Sequence, residues 1–445
     1  FGYIPDPASP FRTIRKLKAG TWLEYDAHGN VREGRYWRLP PPVAEPAPGF
    51  TEAEAEARVR ETFDEAVRLR LVADVPLGAF LSGGIDSSCV VAAMALASSA
   101  PVKTFSIGFE EAEFNELDYA RLVAERWRTE HHEIVLRADA AALAYEMARC
   151  FDEPFADSAA IPNYLLAKFT ARHVKVALTG DGGDELFAGY DSFRRVQQLA
   201  IYDRVPQALR RFVSIAAGLL PYSSYGKNYL RMISRPSALL RYFELNYAPY
   251  YVRKNLLEPE WMLPADAAFL TRTFADCLLP EDAGALAQGM YFEATANLTG
   301  DMLVKVDRTT MAHSLEARCP FLDDRLAELA AAIPHSWKIR NGRGKDILIR
   351  AMASRLPPEL LQRGKHGFEP PFSVWMRGPL RDMLHDHLTA PRFLSRGIVS
   401  PGFVRKLLAE HQSGRRNNER WLWSLLMLDL WLREAEPAGR YAEAG

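Results

Sequence analysis

The stretch FLSGGIDSS, Phe80 to Ser88, joins two apolar runs, VPLGAFL (75–81) and CVVAAMALA (89–97). The first run is short and almost wholly apolar, as expected of a strand in a parallel sheet covered on both faces. The second has the length of a helix, which would start at Asp86 or Ser87. A turn between them needs one glycine and one cap, yet two glycines and three serines surround a single aspartate here. Further out, VKTFSIGF (102–109) reads as a second strand, LDYARLVAERW (117–127) as a helix and HHEIVL (131–136) as a third strand. After two more helices, VKVALTG (174–180) reads as another strand, and a helix follows from DELFAGYDSFRRV. Repeated strand–helix–strand units predict an α/β fold, a doubly wound parallel sheet, over about 72–200. Beyond about residue 195 the chain reads as helical.

Ahead of this core, TWLEYDAHGNVREGRYWRL (21–39) reads as a hairpin bent at HGN. PPPVAEPAPG (40–49) should be extended, which makes 40–50 a linker. Thr51 and Glu54 form a capping box, and Val59, Phe63 and Val67 give the following helix one buried face. The domain that begins at Thr51 is expected to run to 435, with 436–445 a tail.

The 445 residues exceed one core, so two or three domains are expected. Hydrophobic residues at 48% and charged residues at 25% are ordinary for a globular chain. The net charge of −1, from 55 basic and 56 acidic residues, gives nucleic-acid binding no compositional support. Cys89, Cys150, Cys277 and Cys319 lack metal-type spacing and read as thiols of a reducing compartment. No apolar run reaches membrane-spanning length; WLWSLLMLDLWL (421–432), which contains Asp429, reads as a buried helix. The expectation is a cytoplasmic protein with small-molecule partners, no nucleic acid, no membrane, and a second copy of itself as a homodimer.

Ligands of an open parallel sheet sit beyond the C-terminal ends of its strands. Two loops occupy that place, SGGIDSS (82–88) and TGDGGDE (179–185). The first offers accessible backbone N–H groups, serine hydroxyls and a helix N-terminus, the ingredients of a phosphate cradle. It lacks the Gly-Lys-Ser/Thr ending of a Walker loop and the glycine spacing of a dinucleotide fingerprint. The bare carboxylate of Asp86 would repel phosphate; a magnesium ion bridging the two resolves that conflict, and Asp181 and Asp184 could complete its site. The bland reading is that Gly-Gly and Asp-Gly pairs merely turn the chain and that Ser or Asp caps a helix. It accounts for either loop alone better than for both together. His131 and His132 read as a satisfied structural pair.

SGGIDSS resembles the pyrophosphate loop of the N-type ATP pyrophosphatases. Together with DEPFADSAAIPNY (152–164), ALTGDGGDELFAGY (177–190) and KVDRTTMAHSLEARCPFLD (305–323), it resembles the glutamine-dependent asparagine synthetase family, bacterial AsnB-like type. The resemblance covers about 1–430. It implies ATP and Mg2+ as cofactors, adenylation of a side-chain carboxylate with release of pyrophosphate, and displacement of AMP by ammonia. By the same resemblance Ser82, Gly83, Gly84, Asp86, Ser87 and Ser88 hold pyrophosphate, and Asp86 and Asp184 ligate magnesium. Phe80, Ile107, Thr179 and Gly180 line the adenine and ribose site. Asp181 matches a position, glutamate in many members, linked to the acyl-adenylate and to ammonia. Lys365, in RGKHGFEPPF, matches a loop lysine that neutralises charge on the α-phosphate. Lys305 and Arg308 are further candidates for nucleotide or substrate contact. The residue-level reading makes them, with Asp307, Glu316 and Arg318, members of ion pairs buried between an otherwise apolar helix and the sheet.

The family's glutaminase domain uses an N-terminal cysteine, whereas the first cysteine here is Cys89. Residues 1–39 resemble the tail of that domain and its connector, so ammonia-dependent amide formation without glutaminase activity is expected of this chain. Related lasso-peptide cyclases, β-lactam synthetases and polysaccharide amidotransferases keep the adenylating core with other substrates. A non-catalytic nucleotide-binding protein on the same fold is the alternative from another class.

Overall fold

The computed structural model describes residues 1–136, 140–219, 226–235, 237–247, 249–262, 267–362 and 370–435. The hairpin forms from β1 (Thr21–Tyr25) and β2 (Val31–Arg35), with Tyr25 opposite Val31. Asp26 closes its bend by accepting from the backbone N–H groups of His28 and Asn30. Helix α1 (Glu52–Arg70) starts where Thr51 Oγ1 accepts from the Glu54 N–H at 3.3 Å, and Val59, Phe63 and Val67 are buried along it.

The core is β3 (Leu77–Phe80), α2 (Ile85–Ala97), β4 (Lys103–Phe109), α3 (Leu117–Trp127), β5 (Glu130–Leu136), α4 (Ala140–Cys150), α5 (Ala160–Thr170) and β6 (Val176–Leu178). A fifth strand, β7 (Glu316–Arg318), completes a parallel sheet of order β5-β4-β3-β6-β7. One face is covered by an apolar layer containing Val59, Phe63, Val90, Met94 and Ile347, the other by one containing Phe105, Phe151, Phe155, Ile161 and Trp423. Cover on both faces is why β3 and β6 are apolar without alternation and why Thr104 and Ser106 of β4 are buried along with its phenylalanines.

Two expectations about elements are corrected. The segment 305–323 is not one helix. The helix Leu303–Met311 ends, Ser314 adopts a positive φ of 55°, and the chain enters β7. Three residues carry too little pattern to be read as a strand. The free edge of β6 makes it one, with the Glu316 N–H donating to Lys175 O and the Thr179 N–H to Arg318 O, both at 2.9 Å. Likewise DELFAGYDSFRRV divides into α6 (Gly183–Leu186) and α7 (Asp191–Leu199) at Ala188, whose φ is +57°. Helices α8 (Gln207–Leu219) and α9 (Lys227–Ile233) follow.

His131 is satisfied as expected, with Nδ1 2.8 Å from Thr104 Oγ1 and Nε2 3.0 Å from Glu133. His132 stacks on Phe105 with ring centroids 5.3 Å apart. The expected tail, 436–445, lies outside the described residues.

The late apolar helix, Glu419–Ala435, buries Leu422, Trp423, Leu426 and Leu430. Asp429 is fully buried within it, 2.7 Å from His387 Nδ1 and accepting from Arg433 Nε at 2.8 Å. His387 Nε2 in turn meets the Tyr145 hydroxyl at 3.0 Å, which ties the C-terminal helix to α4. Removing one member of a buried charged set strands the others. Asp429→Ala should therefore cost about 3 kcal/mol in urea denaturation, and Asp429→Asn, which keeps an acceptor, clearly less.

Candidate active site

The chain builds β4 and β5 on one side of β3 and places β6 and β7 on the other. Such a reversal opens a crevice beyond the carboxyl ends of the two central strands. The loops after β3 and β6 enter it side by side and line a cavity of about 1470 Å³.

In the first loop, Gly84 precedes α2 without a side-chain cap, so the first helical N–H groups are left for another acceptor. The serines set the loop's shape. Ser82 Oγ accepts from the Gly84 N–H at 3.3 Å, and Ser87 Oγ accepts from the Ser82 N–H at 3.2 Å. Gly83 has φ +74°, and a Cβ there would lie 2.6 Å from Ala120 N. Ser88 is the exception among the expected cradle residues. It is fully buried, and its hydroxyl donates to Gly84 O at 2.6 Å, so it braces α2 and does not line the cavity.

The second loop lies against the first. A Cβ on Gly183 would lie 2.5 Å from Asp86 Cγ, and one on Gly180 2.9 Å from Asp86 Cβ. Between the loops stands a residue that sequence reasoning missed. Lys345 Nζ donates to Asp86 Oδ2 at 2.5 Å and lies 2.8 Å from Asp184 Oδ1. Burial opposes its charge, but Asp184 and Asp86 outweigh burial and hold the ammonium above the usual lysine range. The backbone fixes its position, since the Lys345 N–H donates to Phe187 O at 3.0 Å. A Cβ on Gly344 would lie 2.1 Å from Ala188 O. The only sequence signal was a lysine behind a glycine-rich turn, NGRGKD (341–346).

Phe80, Ile107, Thr179, Gly180 and Asp181 all line the cavity. Burial raises the Asp181 carboxyl above the usual range, opposed by a hydrogen bond from Thr179. Across the cavity Lys305 is buried, and its Nζ donates to Asp157 Oδ2 at 2.6 Å, so this ion pair is found where burial was expected. Asp301, also in the wall, is pushed up to about 8 by burial and the Asp157 charge. Asp301 and Lys305 are supplied by a π-helical stretch, Glu293–Met302, and the helix it runs into. Arg308 is not brought to the site. It lies one turn past Lys305, does not line the cavity, and pairs with Asp152 at 2.5 Å on the surface, which corrects its expected burial. Glu316 and Arg318 pair on β7 at 2.6 Å. Lys365 lies outside the described residues.

The asparagine synthase family model matches residues 58–433. The chain belongs to the asparagine synthase family. Its enzymes are, in general terms, ATP-dependent amide-forming ligases. The chain is 30% identical to the asparagine synthetase [glutamine-hydrolyzing] 1 of Bacillus subtilis, over 97% of this chain and 67% of that protein. It is 33% identical to a putative asparagine synthetase of Mycobacterium tuberculosis, over 96% of this chain and 65% of the relative. A more distant relative, the amidase chry2 of Gibberella zeae, is 26% identical over 88% of this chain and 64% of its own. The chain thus spans about two thirds of the length of these relatives.

Two predictions follow from the geometry. Lys345→Gln should lower ATP-dependent pyrophosphate release by about a hundredfold, because the buried ammonium that offsets the Asp86 and Asp184 charges beside the proposed phosphate site is then lost; a coupled pyrophosphate assay reads this. Glu185, buried beside Asp184 and accepting from the Tyr190 hydroxyl, is pushed up to about 7 by burial and the Asp184 charge. The folded state therefore holds this proton more tightly than the unfolded chain, so its contribution is full in acid and is lost as pH rises through about 7. Denaturation midpoints of Glu185→Gln measured between about pH 5 and 8 should lack that decline.

Proposed function

We propose that this chain is the ATP-using part of an amidotransferase that converts a side-chain carboxylate, foremost that of aspartate, into an amide. A carboxylate oxygen attacks the α-phosphorus, the bond to the bridging oxygen breaks, and pyrophosphate leaves. Ammonia nitrogen then attacks the acyl carbon, AMP departs, and the ammonium proton passes to a base. Asp181 is the base we propose, since its raised carboxyl lies at the cavity between the phosphate loop and the opposite wall. Lys305 and its Asp157 partner would orient the substrate. The resemblance supports Lys365 at the α-phosphate and glutamine as the ammonia source in the whole protein.

The observation that carries the proposal is the convergence of Asp86 and Asp184 on one buried ammonium beneath an uncapped helix N-terminus. That donor set suits Mg2+ bound together with pyrophosphate. Among the described residues no three His, Cys, Asp or Glu side chains gather as a complete metal shell. Two carboxylates leave the remaining positions to phosphate oxygens and water, as Mg2+ prefers. When bound, the ion would neutralise charge on the departing pyrophosphate. The second reading keeps this chemistry with a carboxylate other than that of aspartate, since membership of the family supports the ligase chemistry in general and not a particular substrate.

Incubation with ATP, Mg2+, ammonia and a panel of carboxylates tests both. Aspartate-dependent pyrophosphate release is expected, and Asp86→Asn should abolish it with the circular dichroism spectrum unchanged. Release that ignores aspartate and follows another carboxylate selects the second reading.

A further inference from the structure

Helix α8 is inverted relative to an ordinary surface helix. Its inward side holds Ala217 and the buried Arg210, whose guanidinium donates to Val205 O at 3.1 Å and Arg235 O at 3.3 Å. Its outward side carries Leu209, Phe212, Ile215 and Leu219, spaced by three and four residues and 53%, 67%, 68% and 86% exposed. Ile201, just before the helix, is 60% exposed. Surface helices normally turn such a stripe toward the core, and a continuous exposed apolar patch marks an interaction surface.

Charge selects what covers it. Of the seven Lys and Arg residues between Arg204 and Phe243, a stretch without Asp or Glu, Arg210, Lys227 and Arg241 are buried and Arg235 pairs with Glu244, so the surface charge beside the stripe is carried by Arg204 and Arg211. Arg204 and Arg211 are exposed at the edge of the stripe. A second copy packed across a two-fold axis would set this cationic segment against itself. An anionic bilayer complements it.

We propose that α8 docks the protein on an anionic lipid surface. Its apolar stripe enters the boundary between headgroups and acyl chains, and Arg204 and Arg211 meet the lipid phosphates. The expectation of no membrane partner rested on the lack of a spanning segment. No helix among the described residues is long and apolar enough to cross a membrane, but a helix lying in the interface does not need to be.

The test is co-sedimentation of the full chain with vesicles of phosphatidylcholine, alone or mixed with phosphatidylglycerol. Binding to the mixed vesicles, weakening with salt, is expected. The double variant Phe212→Asp/Ile215→Asp should lower partitioning by at least about tenfold, and Arg204→Gln/Arg211→Gln should remove the preference for anionic lipid. Both variants should keep wild-type pyrophosphate release, since none of these residues lines the cavity. The proposal fails if the wild-type chain ignores both vesicles or binds them equally. It fails also if the apolar variant sediments like wild type, or if light scattering shows an α8-dependent dimer that does not bind vesicles.

Discussion

Asp86 and Asp184 belong to segments after different strands, and both reach the part of the cavity where we propose that phosphate binds. Two carboxylates in that position would repel each other and any phosphate, and burial magnifies the repulsion. The Lys345 ammonium, within 2.8 Å of both, turns this liability into a site. Much of the local backbone serves that arrangement. Gly180 and Gly183 are small because a methyl group would strike Asp86, and Gly189 because one would lie 2.2 Å from Lys345 Cε. The break between α6 and α7 brings Ala188 O against Gly344, just ahead of the lysine.

Around this cation the cavity has two chemically different ends. The end proposed for phosphate offers backbone N–H groups, small side chains and the shared ammonium. The far end offers Lys305 with Asp157 and a carboxyl, Asp301, held largely protonated near neutral pH. Asp181 stands between them. A nucleotide gripped at one end and a carboxylate oriented at the other would meet beside the residue whose raised pKa suits proton transfer.

Sequence patterning located most of this because it rests on local rules. The strands β3, β4, β5 and β6 and the helices between them follow from apolar runs punctuated by glycine, and both loops were visible as glycine-rich turns carrying acids. The failures share one cause. Strand β7 exists because β6 has an open edge, the Lys345 contact because three separate segments converge, and Arg308 leaves the site because Asp152, far away in sequence, takes its guanidinium at the surface. Ser88 looked like its neighbours in sequence, yet the pitch of α2 turns its hydroxyl back onto Gly84 O. The inverted face of α8 was equally hidden, since the order of its residues is that of any amphipathic helix.

By itself, then, the sequence determined the layered α/β core and the two acidic, glycine-rich loops at one end of the sheet, because period, turn chemistry and burial act over a few residues at a time. Only the tertiary structure decided which charges meet across those loops and which face of a helix is left to the outside. Those outcomes depend on distances between residues far apart in the chain, as between Asp86 and Lys345, which no local pattern encodes.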